Sequence, residues 1–194
     1  MDAVRLIVTS RRALAASGDV PEILAEVWQA QALAQAIGSR LAVSGPPELR
    51  GEALGLTELA GRGCGVLRAP ELGDGELLAA QLTELGDARL ALTRLGGLLG
   101  EIGIALVGIA SAAADESTYW QCMEAIDAAD ECRDRVLEML RRLADREENP
   151  TEPLREVLPG RQTPSEREVL PGQQTSSEGS VLSEREVLSE REAG

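Results

Sequence analysis

The sequence predicts an all-α protein: an up-and-down helical bundle of four to five helices with a disordered C-terminal tail. Three observations predict it. Apolar residues recur at alternating steps of three and four over long stretches of residues 1–148, the spacing of helices that bury one side. No stretch alternates apolar and polar residues at the two-residue period of a half-buried strand. Past Asn149-Pro150 the helical period stops and a short repeat takes over. The chain therefore divides into a helical bundle domain, 1–148, and a low-complexity repeat tail, 149–194.

The first helix is expected over about residues 2–17, carried by Val4, Ile7 and Leu14. The second is carried by Val20, Ile23, Val27, Ala30, Ala34, Ile37 and Leu41. Asp19 stands where a carboxylate can accept from the first unpaired amides, and Pro21 suits a first turn that needs no N–H from it. Ser44-Gly45-Pro46-Pro47 ends this helix. A third, over about 47–61, rests on Leu49, Ala53, Leu56 and Ala60, and the stretch from Gly61 to Asp74 reads as the one long irregular loop.

The fourth helix has the strongest pattern. Leu85, Ala88, Leu92, Leu95, Leu99, Ile102, Leu106 and Ile109 keep a coiled-coil-like heptad spacing without a break. Leu98, Ala105 and Ala112 widen this seam, while Asp87, Arg94 and Glu101 mark a solvated side. Its start is expected near Gly75-Glu76, capped by Asp74, and its end before Asp115. The fifth follows Tyr119, Cys122, Ile126, Ala129, Cys132, Val136, Leu140 and Leu143. It ends among Arg141, Arg142 and Arg146, cations that favour the negative end of a helix dipole. The join around Ala114 to Ser117 is short, so the last two helices should be antiparallel neighbours.

In the tail, REVLPGRQTPSE at 155–166 recurs as REVLPGQQTSSE at 167–178, matching at 10 of 12 positions. Val-Leu pairs start at Val157, Val169, Val181 and Val187, steps of 12 or 6 residues. At about 100° per residue such steps form no common stripe, so the tail has little to bury and disorder is its expected state. Repeated docking motifs would raise avidity; a repeat expansion tolerated at a terminus is the simpler reading.

Composition excludes much. The 194-residue chain has net charge −14, no His and, because all 19 residues of the Lys+Arg count are Arg, no Lys. Without His there is no Ser-His-Asp or Cys-His nucleophile, no HExxH zinc site and no Glu-x-x-His di-iron bundle. Without Lys there is no Walker A loop and no Schiff-base chemistry. The acidic balance and the scarcity of aromatics, two Trp and one Tyr, oppose nucleic-acid binding. The longest uncharged apolar run, Ile102 to Ala114, has 13 residues. A membrane-spanning helix needs about 18 to 20, so this run reads as a buried helix and no membrane partner is expected. Three Cys without CxxC spacing, and no cleavable apolar segment after Met1-Asp2, point to the cytoplasm.

The run WQAQALAQAIGSRLAVSGPPELRGEA, from Trp28 to Ala53, lies in a chain with the Arg-only, Ala/Leu/Gly-rich composition of a GC-rich genome. Together they resemble a family of uncharacterised helical proteins from actinobacteria. The resemblance implies a bundle over about residues 1–148, carries no known activity, and leaves the repeated tail outside it.

Candidate sites are few. Cys64 sits in Gly61-Arg62-Gly63-Cys64-Gly65, with Arg68 beyond. An exposed Gly-rich loop with Arg neighbours would lower its pKa and make it a reactive thiol, although no His or Lys can serve as its base. The same run is no dinucleotide fingerprint, because Val66 stands where the third Gly is required. Cys122 and Cys132 lie on an apolar seam and read as small buried hydrophobes rather than metal ligands.

Gly96, Gly97, Gly100, Gly103 and Gly108 crowd the fourth helix, each at a cost of about 0.5 to 1 kcal/mol against Ala. Gly96, Gly100 and Gly103 are accordingly expected at a close helix-packing contact, ahead of a dimer seam or a small-molecule crevice. Asp115, Glu116, Glu124, Asp127, Asp130, Glu131 and Asp134 form an acidic outer face on the fifth helix, read first as solvated.

These observations lead to a non-catalytic cytoplasmic bundle acting through protein-protein interaction, with no cofactor and no metal. The partner is not specified, and homo-oligomerisation is left open. Two alternatives stand beside it: an acidic regulator, antitoxin-like or anti-factor, that neutralises a basic partner, and a thiol-dependent enzyme using Cys64.

Overall fold

A computed structural model describes residues 1–67 and 77–148, all within one compact unit. Five α-helices account for most of them: α1 (Ala3–Ala16), α2 (Val20–Ser44), α3 (Arg50–Val66), α4 (Ala88–Ala112) and α5 (Glu116–Glu148). Short 3-10 turns at Pro47–Leu49 and Leu78–Gln81 lead into α3 and α4. The protein is an all-α bundle, and the described residues contain no strand, only an isolated parallel bridge between Asp2 and Glu84.

Capping sets the helix starts. Asp2, Asp19 and Asp87 each turn from extended backbone into a helix and accept from an amide three residues on, Arg5, Glu22 and Leu90 respectively. Each satisfies a donor that the first turn leaves unpaired. α2 thus begins and ends where its sequence signals place it.

α4 does not begin near Gly75-Glu76. Leu85 keeps the heptad phase yet precedes the helix, because Gly86 takes a positive φ of 70° and breaks the run. Asp87, expected on the solvated side, is the cap, its carboxylate 2.6 Å from the Leu90 amide. The expected cap Asp74 and the repeat tail lie outside the described residues.

α3 is also longer than expected. It runs through Gly61-Arg62-Gly63-Cys64-Gly65 to Val66, where a loop was expected, because the glycines fit against α2. A Cβ on Gly63 would lie 2.8 Å from Cδ of Gln31, and one on Gly61 would lie 3.0 Å from Nε2 of Gln35. Further along, a Cβ on Gly38 would meet Thr57 Oγ1 at 2.7 Å and the Ala53 carbonyl oxygen at 2.9 Å. The close backbone approach of this bundle is therefore between α2 and α3.

Four helices form a ring in which α2 packs on α3, α3 on α5, α5 on α4, and α4 on α2. Neighbours in the ring are antiparallel. Cys64 reaches back to Trp28 across α2–α3, and Glu48 pairs with Arg146 while Gln121 reaches Val66 across α3–α5. α3 and α4 stand on the diagonal, linked by the long connection between them. α1 lies against both α2 and α4, burying Ala3, Leu6, Ile7 and Ser10 there. The core is aliphatic, filled by side chains such as Leu6, Leu33, Ile37, Leu56, Leu95 and Leu99.

Candidate functional site

α4 holds more apolar residues than one face can bury, and of the described helices it alone is long and apolar enough to cross a membrane. Its seam, Leu92, Leu95, Leu99, Ile102, Leu106 and Ile109, is packed in the core. Ile104 and Val107 are not: they are 75% and 54% exposed. With Ile126 of α5 they line a groove of about 520 Å³ between α4 and α5. Gly96, Gly97, Gly100 and Gly103 supply bare helix backbone to the same groove, and Glu101, Asp130 and Arg133 are its charged groups.

The glycines do not form the close helix contact expected of Gly96, Gly100 and Gly103. Gly96 comes nearest to α5, where a Cβ would lie 3.4 Å from Val136 Cγ1. At Gly100 the nearest atom would be Arg133 Nε at 3.9 Å, and at Gly97 and Gly103 nothing lies within 4 Å. These residues keep the groove open instead of closing two helices together.

The charges are unevenly partnered. Glu101 is held from behind by α1, where Arg11 Nε donates to its carboxylate at 2.9 Å and the second guanidinium nitrogen pairs with its other oxygen. Asp130 and Arg133, one turn apart and both exposed, make no ion pair among the described residues. The groove thus presents one free acid, one free base and a neutralised Glu101 beside an apolar edge.

Cys64 lies in the last turns of α3, half-buried, with its thiol 3.8 Å from the Trp28 carbonyl oxygen that accepts from it. Burial pushes its pKa up to about 11. Desolvation is the cause, so the sequence-based expectation of a lowered pKa in an exposed loop is corrected: the thiol is protonated at neutral pH. Cys132 is fully buried, faces the Gln31 side-chain oxygen at 3.8 Å, and is pushed up to about 12, first by burial and then by Glu131. Cys122 is buried on the same seam, as expected. No group of three His, Cys, Asp or Glu among the described residues is placed to hold a metal ion.

The acidic face of α5 is partly used up by structure. Asp115 accepts from the Thr118 amide at 2.8 Å, which holds its carboxyl below the ordinary range. Glu116 accepts from the Trp120 indole, and Glu131 pairs with Arg62. Glu124, Asp127 and Asp134 remain exposed and make no ion pair among the described residues.

Sequence reasoning missed Ile104 and Val107, although the signal was present: both fall off the heptad seam of a helix whose core positions are already filled. No curated protein and no solved structure matches this chain. A family model does, over residues 1–142, and its description is a family of unknown function, DUF6099. The matched stretch takes in α1 to α4 and most of α5, and so the chain belongs to the DUF6099 family.

Proposed function

We propose that this chain is a non-catalytic bundle that acts by binding another protein through the α4–α5 groove. The exposure of Ile104 and Val107 carries the reading, because large side chains left in water beside an open groove mark an interaction face. The acidic surface and few aromatics support a protein rather than a nucleic-acid partner. Three free cysteines suit a reducing cytoplasm, and the Arg-only composition suits an actinobacterial source. Immobilised chain should capture a partner from native lysate that the Ile104→Glu variant does not. Equal capture by both would remove the groove from the reading.

A second reading, an acidic regulator of a basic partner, is favoured by the unpaired Glu124, Asp127 and Asp134 on α5. It predicts the reverse pattern. Capture would survive Ile104→Glu, be lost when the three acids are replaced by their amides, and weaken steeply with salt.

A further inference from the structure

The groove lies on a chain of net charge −14, so most of its surface repels another copy of itself. The residues that line the groove are the exception: Glu101 is neutralised by Arg11, and Asp130 and Arg133 balance each other, with Asp127 and Asp134 of α5 outside the lining. One free acid and one free base on a single face are self-complementary under two-fold rotation, since each residue then meets the other in the second copy.

The register of α4 against α5 allows a sharper test of that symmetry. Gly96 lies against Val136 and Gly100 against Arg133, so the midpoint between Asp130 and Arg133 is level with Glu101 on α4. A two-fold axis at that level, lying in the groove face and perpendicular to the helix axes, sets α4 antiparallel to α4 and α5 antiparallel to α5. Asp130 of each copy then faces Arg133 of the other. At about 1.5 Å rise per residue, Ile104 lies about 4.5 Å to one side of this level, and Val107 about 9 Å. The residues at the same distances on the other side are Leu98 and Leu95, both buried in the core, and the groove-lining backbone one residue from each is Gly97 and Gly96. One axis therefore pairs the two free charges and sets the two exposed side chains beside bare glycine backbone.

We propose that the α4–α5 groove is a homodimer face: a second copy seats its Ile104 beside Gly97 and its Val107 beside Gly96, with Asp130 and Arg133 paired across the axis. The proposal rests on the groove reading above and names its partner. The face is narrow, so the dimer is weak, of micromolar order and at the small end of specific interfaces.

Sedimentation of the full chain from about 1 to 200 μM brackets that range and tests it. The wild type should pass from monomer to dimer, and Ile104→Glu should stay monomeric with an unchanged helical circular dichroism spectrum. Asp130→Arg and Arg133→Asp should each weaken association about tenfold or more by setting like charges together. Mixed one to one, these two variants should associate with each other more tightly than either does with itself. A wild type monomeric throughout, a dimer untouched by Ile104→Glu, or a mixture that fails to associate would overturn the proposal. If the chain is monomeric while Ile104→Glu still abolishes capture from lysate, the second copy is excluded and the groove belongs to another protein. If capture is untouched as well, both readings fall.

Discussion

Single residues in this protein are decided by what stands across from them. Cys64 and Cys132 approach the same face of α2, one donating to the Trp28 carbonyl and the other to the Gln31 side chain. Neither thiol has a cation close enough to offset burial, and both pKa values rise, to about 11 and about 12. The folded state thus holds these protons to higher pH than the unfolded chain, whose thiols ionise at the ordinary 9.0. Their contribution to stability is complete below that value and is lost as pH rises through the folded values. The thermal midpoint should fall between pH 9 and 11 more steeply in the wild type than in a Cys64→Ala, Cys132→Ala variant. Native protein at about pH 8 should label slowly at every thiol, with half-buried Cys64 first; labelling of Cys64 as fast as in the unfolded chain would contradict its burial.

At the level of the helix, glycine has two opposite uses here. Gly38 of α2 lets α3 approach so closely that a methyl group would strike the Ala53 carbonyl oxygen at 2.9 Å, an atom of the backbone that cannot rotate away. Gly108 of α4 touches nothing within 4 Å and only weakens its helix. Gly38→Ala should therefore destabilise by about 1 to 3 kcal/mol through overpacking. Gly108→Ala should stabilise by up to about 1 kcal/mol through helix propensity. Urea melts of the two variants check both signs, and a neutral Gly38→Ala would show that α2 and α3 can part without loss. The start of α4 follows the same local logic: Gly86 turns the chain, Asp87 captures the Leu90 amide, and the heptad phase of Leu85 has no influence on where hydrogen bonding begins.

Across the whole molecule, the two antiparallel hairpins, α2–α3 and α4–α5, are tied along α3 and α5 by charge. Glu52, largely shielded, accepts from Arg135 and from Arg142 at 2.7 Å each. Glu48 pairs with Arg146, and its carbonyl oxygen accepts from Arg142 at 3.2 Å. Exposed ion pairs count for little, but one carboxylate held by two guanidinium groups at low exposure is a small network with fixed geometry. Glu52→Gln keeps the shape, loses the charge, and should cost about 1 to 2 kcal/mol. Removing the exposed Arg62–Glu131 pair by Glu131→Gln should cost no more than about 0.5 kcal/mol. Equal losses in denaturant melts would show that Glu52 has no special place between the hairpins.

The sequence by itself determined what is local. Helix period, the cap at Asp19, the stop at Ser44-Gly45 and the seam positions of Cys122 and Cys132 all depend on residues within a turn or two of each other. The antiparallel joining of α4 to α5 followed from a connection too short for anything else. Tertiary structure decided what depends on distant partners. Gly61-Arg62-Gly63-Cys64-Gly65 reads as loop until Gln31 and Gln35, some thirty residues away, supply the surface against which its glycines stay helical. Five glycines in α4 read from the sequence first as a packed contact, ahead of a dimer seam or a crevice. The groove resulted because, of these glycines, Gly97, Gly103 and Gly108 have nothing within 4 Å of an added Cβ, while α1 and α2 also pack against the helix. Which face of α4 meets water is a sum over elements from both ends of the chain, and no local pattern in α4 contains that sum.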